Sequence, residues 1–283
     1  MSDNFLLETT AVIDFLFKPK LKEKIFSVLH DASQKTTLNY VKMEIKRGFL
    51  NNLVLLYNKI RESNKLSDVF DYLSTISSTP LKKQLSTMLE ALAICSREVE
   101  RERPDRIREE YGNVDNQLIE IAGILRLKIL RLFRQVDKMV DTLLNPMDCF
   151  VDIKPPVEMK KWGRIDNKPS WCSGSKKECS IKKFFIDNVN SFKQIYEQLK
   201  EIPEKDRDVE TQKRIKSLKK ILGLLPSSTR YFGNHHQNYR LCWNCGDAVI
   251  AVATPENFIV LNNNESHYLP ICRIIGKKSM TYR

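Results

Sequence analysis

The chain has 283 residues and a formal net charge of +12, with 47 Lys and Arg against 35 Asp and Glu. Apolar residues make up 42% and charged residues 29%, a balance that excludes a globally disordered chain. No apolar run reaches the roughly 20 residues that span a bilayer, and the Met-Ser-Asp-Asn start lacks a basic region and a cleavage site. We therefore predict a cytoplasmic protein without a membrane partner, whose charge favours nucleic acid or another polyanion.

The first 48 residues predict an α/β start. Residues 3–8 have the pattern of a short strand with Glu8 at its end, and a helix follows from Ala11. A short strand or turn is expected over 34–38. Asn39 would then cap a helix that carries Glu44 in its second turn.

Residues 49–240 are predicted to be almost wholly helical. Within them, apolar residues between 118 and 143 recur at alternating steps of four and three, which is typical of a heptad-like seam. The stretch 146–171 is rich in proline and predicts an extended loop. The seam consists of Leu118, Ala122, Leu125, Ile129, Leu132, Val136, Met139 and Leu143.

Residues 241–283 return to an α/β pattern. We predict a helix from Asp247, a strand over Phe258–Leu261, a loop over 262–267 and a final short strand near Ile271–Ile275.

Four acids in these two end segments lie beside short apolar runs, namely Glu8, Glu44, Asp247 and Glu265. Apolar neighbours fix a carboxylate on a packed element. Oxygen ligands are the ones that Mg²⁺ and Mn²⁺ prefer, and such ions can activate water and stabilise charge on a phosphate. Taken together, the four acids indicate a metal-dependent phosphodiesterase.

The same segments resemble the PIN-domain superfamily of metal-dependent nucleases. LLETTAVIDFL is similar to the first motif of the family, with Glu8 where Asp is usual, and YVKMEIKRG to the second, with Glu44. GDAVIA resembles the third motif, with Asp247, and FIVLNNNESHYLP the fourth. The fourth motif has an acid two residues before a His, which selects Glu265, before His267, again in place of Asp. If the alignment slips in the turn, Asn263 takes this position instead.

The resemblance implies an α/β fold, a PIN-like three-layer core with a short, mainly parallel sheet. Residues 1–48 and 241–283 would form this core, and 49–240 would be a large all-helical insertion. Glu8, Glu44, Asp247 and Glu265 would bind Mg²⁺ or Mn²⁺ and form the catalytic site. Supporting polar groups would come from Thr10, Thr37 and Asn263, and substrate contacts from His267, Lys46 and Arg47.

A second metal site is suggested by the cysteines. Cys242 and Cys245 form a Cys-x2-Cys pair, and Cys172 and Cys179 form a wider one, so the four could hold a structural zinc. The alternative is that these are ordinary buried thiols, since cysteine is often a small core residue.

The resemblance and the charge together predict a Mg²⁺- or Mn²⁺-dependent nuclease, with RNA, single-stranded in particular, favoured over DNA. Since family members often act as toxins restrained by a partner, it also implies a toxin or defence role with a protein regulator docked on the helical insertion. The alternative is a catalytically weak PIN-like scaffold that binds nucleic acid or assembles proteins, with the seam at 118–143 as its docking surface.

Overall fold

The computed structural model of the protein describes residues 3–77, 82–102, 114–140, 163–165, 180–225 and 239–282. Within these ranges none of the helices combines the length and the apolar character needed to cross a membrane.

Four short strands form one parallel sheet at the centre of the fold. They are β1 (Asn4–Leu7), β2 (Gln34–Thr36), β3 (Phe258–Asn262) and β4 (Lys278–Thr281), in the order β2-β1-β3-β4. Leu6 of β1 is aligned with Thr36 of β2 and with Val260 of β3. The two central strands are buried, as expected for parallel strands covered by helices. The α/β class predicted from the sequence is therefore confirmed.

A helix follows each of the first three strands, and the helices pack against the sheet or against one another. Pro19 begins the second helix, where a missing N–H is harmless, and so separates it from the first. The helices near the N-terminus are α1 (Thr9–Phe17), α2 (Pro19–Leu29), α3 (Asn39–Ile45) and a single π-helical turn (Lys46–Leu50).

The central part of the chain is helical, as predicted, in the ranges that the structure describes. Its helices are α4 (Asn51–Glu62), α5 (Leu66–Ser77), α6 (Lys82–Glu102), α7 (Val114–Met139), α8 (Ser180–Asp187), α9 (Val189–Glu201) and α10 (Val209–Leu224). The chain then continues through α11 (Tyr239–Asn244), α12 (Gly246–Ala253) and α13 (Glu265–Ile274).

The central helices pack directly on the segments that carry the sheet. Helix α7 contacts α1, α4 and α6, while α9 contacts α12 and α13. At the end of α7, the Met139 carbonyl accepts hydrogen bonds from the Thr37 amide at 3.1 Å and the Thr36 hydroxyl at 3.0 Å. Buried residues of both parts form one continuous apolar core.

The seam predicted as a docking surface is buried inside the chain. Its members from Leu118 to Val136 are at most a few per cent exposed, and α7 packs them against α4 and α6. The docking-surface prediction is therefore wrong for these residues, since their heptad-like spacing serves intramolecular packing. Leu143 lies outside the described residues.

Two local predictions are also wrong. Asn39 does not cap α3, because the helix begins at Asn39 itself and Leu38 takes the capping position without a side-chain hydrogen bond. Residues 265–274 form helix α13 rather than a loop and a strand. Tyr268, Ile271 and Cys272 are buried at helical spacing, and their packing outweighs the helix-breaking tendency of Pro270.

We expect Leu125→Ala to lower the free energy of unfolding by about 2–5 kcal/mol, because it leaves a cavity at a fully buried position of α7. Leu127→Ala on the same helix is the control: that side chain is 53% exposed, so its loss should change stability by less than about 0.5 kcal/mol. Urea unfolding followed by circular dichroism measures both. Equal effects would show that α7 does not pack on α4 and α6.

Candidate metal-binding carboxylate cluster

Glu8 lies directly after β1 and caps helix α1. Its two carboxylate oxygens accept hydrogen bonds from the backbone amides of Thr10 at 2.7 Å and Ala11 at 3.0 Å. Its own amide donates to the Leu261 carbonyl of β3 at 3.1 Å. The acid is thus fixed at the carboxyl end of the two central strands, and its charge faces the positive end of a helix.

Glu44 projects from α3 towards the residues that flank the other two acids. Its Oε2 accepts a short hydrogen bond from the hydroxyl of Thr9, which follows Glu8 in the chain. Its Oε1 lies so close to Gly246 that a Cβ placed there would be 2.6 Å away. Glu44 therefore contacts the neighbour of Glu8 on one side and the neighbour of Asp247 on the other.

Asp247 lies in the first turn of α12 and is held by three side chains. Arg214 of α10 donates from Nη2 to its Oδ2 at 2.5 Å. The Nδ1 of His267 lies 3.7 Å from the same oxygen, and the hydroxyl of Tyr268 hydrogen-bonds to the carboxylate. The first turn of α13 thus reaches Asp247 through two adjacent residues.

The three carboxylates influence one another electrostatically. Burial raises the pKa of Glu8 from an ordinary 4.5 to about 8; the amides of Thr10 and Ala11 oppose this rise, and the negative charges of Asp247 and Glu44 add to it. Burial also raises the pKa of Glu44 to about 7, where Thr9 lowers it and Asp247 raises it. Burial and the repulsion between neighbouring carboxylates therefore both favour the protonated forms of Glu8 and Glu44.

As the side chains stand, no three or more His, Cys, Asp or Glu residues within the described ranges form a group that could hold a metal ion. The hydrogen bonds explain this arrangement, because they turn each carboxylate towards its own partner: Glu8 to amides, Glu44 to Thr9, and Asp247 to Arg214. Binding one cation would require side-chain rotation within the cluster.

The fourth acid, Glu265, is exposed in the first turn of α13. Asn263, the alternative for that position, donates from Nδ2 to Asp14 Oδ2 at 3.3 Å. Tyr282, which follows β4, donates its hydroxyl to the same oxygen at 2.6 Å. Asn263 thus belongs to a second polar group built around Asp14, next to the cluster.

Asp14 is completely buried on α1, although an exposed helical position would be the ordinary expectation for a carboxylate. Besides Asn263 and Tyr282, it has Lys18 Nζ at 3.1 Å from its Oδ1, and Lys18 also pairs with Glu90 at 3.0 Å. The buried carboxylate thereby connects α1, the loop after β3 and the end of β4.

The predicted supporting hydroxyls have other roles. Thr10 contributes its backbone amide to Glu8. Thr37 is fully buried and donates its hydroxyl to the Leu7 carbonyl at 2.7 Å, which fixes the end of β1 just before Glu8. Thr9, which we did not predict, is the residue whose hydroxyl contacts an acid of the cluster.

Of the predicted substrate contacts, His267 and Arg47 lie beside the cluster. Arg47 packs its guanidinium on the Trp243 ring, and its positive charge lowers the pKa of Glu44. Lys46 lies instead with Nζ 5.6 Å from the centroid of the Phe133 ring.

Only half of the predicted zinc site lies within the described residues. Cys242 and Cys245 are buried, and burial raises the pKa of Cys245 to about 12, which disfavours the thiolate that a zinc ligand requires. Cys172 and Cys179 lie outside the described residues, so the zinc site stays a prediction.

Arg214 is a further residue of this cluster that the sequence analysis missed. It stands within a run of lysines and so has the appearance of a solvated basic residue. Its helical spacing to Ser217, Leu218 and Ile221, which are all buried, is the signal that could have identified it as an inward-facing residue.

Comparison of the chain with protein-family models, with curated protein sequences and with solved structures gives no match in any of the three.

We expect Gly246→Ala to destabilise the protein by about 1–3 kcal/mol, the usual range for overpacking. The added Cβ would lie 2.6 Å from Glu44 Oε1 and 3.2 Å from the Tyr40 hydroxyl, which is itself hydrogen-bonded to the Cys242 carbonyl at 3.0 Å. Gly123→Ala in α7 is the matched control. Its Cβ meets nothing within 4 Å, so it should stabilise by about 0.5–1 kcal/mol. Urea unfolding that gives both variants the same sign would contradict the close approach of α12 to Glu44.

A pH dependence of stability follows from the raised carboxyl pKa values. The carboxyl pKa is 4.5 in the unfolded chain and rises to about 7 for Glu44 and about 8 for Glu8 in the folded protein. At pH values between these limits, the folded protein binds more protons than the unfolded chain. Stability of the metal-free protein should therefore fall as pH rises through this window. Glu44→Gln should flatten the fall, because the neutral amide has no proton to lose.

The measurement is urea unfolding in chelator at several pH values. Glu197→Gln, on an exposed residue of α9, serves as the control and should reproduce the parent curve. A Glu44→Gln curve as steep as that of the parent would show that Glu44 is not held in a charge-poor environment.

Proposed function

We propose that this protein is a Mg²⁺- or Mn²⁺-dependent nuclease with a PIN-like core, and that Glu8, Glu44 and Asp247 are its metal-binding carboxylates. The observation that carries the proposal is the meeting of these three acids at one place, although they come from three separate segments of the chain. Glu44 contacts both Thr9 and Gly246, the chain neighbours of the other two acids.

The sheet topology supports a ligand site at this place. The connection from β1 leads to β2 on one side, whereas β3 leads to β4 on the other, so the strand order reverses between β1 and β3. In open parallel sheets, ligands bind in the crevice at the carboxyl ends of the strands at such a switch point. Glu8 follows β1 and Asn263 follows β3, at this position.

The chemistry of the cluster suits a hard cation. Three carboxylates are the oxygen donors that Mg²⁺ and Mn²⁺ prefer. Burial and mutual repulsion raise the pKa values of Glu8 and Glu44, and a bound cation would favour their ionised forms. When bound, such an ion would activate water and stabilise the charge that develops on a phosphate. Glu8, Glu44 and Asp247 would hold it, while Arg47 and His267 lie beside them.

RNA is the proposed substrate, single-stranded rather than duplex, from the family resemblance and from the positive charge. Exposed lysines of α10, including Lys216, Lys219 and Lys220, lie on the helix that carries Arg214. These lysines form an exposed basic surface on α10 that suits a phosphate backbone. The scaffold alternative used the seam at 118–143 to dock a partner, and the seam members from Leu118 to Val136 are buried. Glu8 and Glu265, which stand where the family has Asp, still favour a catalytically weak core.

Incubation of the purified protein with labelled single-stranded RNA, and with DNA of the same sequence, tests the proposal. We expect cleavage of RNA with Mn²⁺ or Mg²⁺ and none in chelator. Glu44→Gln should lower the rate at least about a hundredfold, the upper end of the loss seen for residues that only support a ligand. Binding of RNA should persist, because it depends on the Lys and Arg surface.

Glu197→Gln should cleave at the parent rate. Cleavage that continues in chelator, or at an unchanged rate in Glu44→Gln, would rule out this cluster as the catalytic site.

A further inference from the structure

Arg214 is the most deeply buried charge at the cluster. Its side chain is 3% exposed, and its Nε has no hydrogen-bond partner in the described parts of the chain. An arginine keeps its charge under all ordinary conditions, so a buried one needs a compensating anion. Asp247 supplies that anion at 2.5 Å.

Helix α10, which carries Arg214, is anchored in the protein interior. Leu218 and Ile221 are buried on the same face, and the Ser217 hydroxyl accepts a hydrogen bond from Asn244 at 3.0 Å. Since Asn244 ends α11 immediately before α12, the two contacts connect α10 to both sides of the turn that precedes Asp247. The packing of α10 therefore keeps the backbone of Arg214 next to Asp247.

We propose that Arg214 is the internal counter-ion of the carboxylate cluster, and that a divalent cation binds there in competition with the Arg214–Asp247 ion pair. This inference rests on the proposed metal site. A guanidinium and a metal ion both require the negative charge of Asp247, and a fixed positive charge at this short distance opposes the entry of a second one.

If a cation binds Asp247, Asp208 is a second carboxylate with which the guanidinium of Arg214 can pair. Asp208, the cap of α10, accepts a hydrogen bond from the Thr211 amide at 2.6 Å. That bond is the main cause that lowers the pKa of Asp208, and the charges of His267 and Arg214 lower it further. Asp208 is exposed, so a rotated Arg214 side chain would exchange a partly buried pair for a solvated one.

The alternative is that Arg214 only positions Asp247 for the metal. The two roles predict opposite effects of removing its charge. If Arg214 competes with the cation, Arg214→Gln binds Mn²⁺ more tightly; if it only positions the carboxylate, the same variant binds Mn²⁺ more weakly.

Isothermal titration of Mn²⁺ into metal-free, folded protein is the test, with folding checked by circular dichroism. We expect the dissociation constant of Arg214→Gln to be about tenfold lower than that of the parent, a modest part of the repulsion between fixed charges this close. Arg214→Lys keeps the positive charge and should stay within about threefold of the parent. Lys213→Gln removes an exposed charge from the same helix, one that pairs with Glu210 at 2.9 Å, and should match the parent.

If the parent binds Mn²⁺ and Arg214→Gln binds it equally tightly or more weakly, the competition is overturned, whereas the proposed nuclease is unaffected. Absence of Mn²⁺ binding in every protein, the parent included, overturns the metal site and the competition together.

If Arg214→Gln does not fold, the parent itself gives the answer. The Nε–H signal of Arg214, assigned by its loss in the spectrum of Arg214→Lys, should shift during an NMR titration with Mg²⁺. An unchanged signal at saturating Mg²⁺ would overturn the competition.

Discussion

The parallel pairing of β1 with β3 is the constraint on which the rest of this structure depends. It aligns Asn4 with Phe258 and Leu7 with Leu261, and so brings the two ends of a long chain into one sheet. The entropic cost of closing a loop grows only with the logarithm of its length, so about 250 intervening residues cost little more than 100 would. What those residues must provide is buried apolar surface, and the helices from α4 to α10 contribute it to the one continuous core.

The pairing also explains how acids so far apart in sequence share one environment. Parallel strands end at the same edge, so Glu8, Thr37, Asn263 and Tyr282, which follow the four strands, all lie along it. Buried carboxylates at one edge repel one another, and hydrogen-bond donors or positive charges partly stabilise each of them. Glu8 has the amides of α1, Glu44 has Thr9 and Arg47, and Asp247 has Arg214.

An acidic cluster is compatible with the positive charge of the whole chain because the two act over different distances. Charges on the exposed surface are screened beyond about 8 Å at physiological ionic strength, whereas buried charges close together are screened far less. The surplus of 12 positive charges thus favours a polyanion at the surface, while the clustered carboxylates would favour a small cation at the proposed metal site. A nucleic acid and a divalent cation are two ligands that this distribution suits at once.

Sequence reasoning succeeded where a local pattern determines the structure. The apolar run ending at Glu8 gave β1, and the pattern after Gly246 placed Asp247 in the first turn of a helix. It failed where tertiary packing decides. Ile271 to Ile275 has the composition of a strand, yet Tyr268, Ile271 and Cys272 are buried as one face of α13. Asp14 stands in an almost wholly apolar helix, a pattern that indicates burial, but only the fold reveals Tyr282 and Asn263 as its partners.

The helical insertion contributes to the site through its contacts with the edge of the sheet. Its sequence alone does not reveal this contribution. At one point, Met139 at the end of α7 binds Thr36 and Thr37 beside β2. At another, α10 places Arg214 on Asp247. Packed elements, rather than a linker, thus connect the insertion with the carboxylates, and any ligand that displaces α10 also displaces the guanidinium. The insertion is for this reason better regarded as the source of the counter-charge of the cluster than as an independent module added to it.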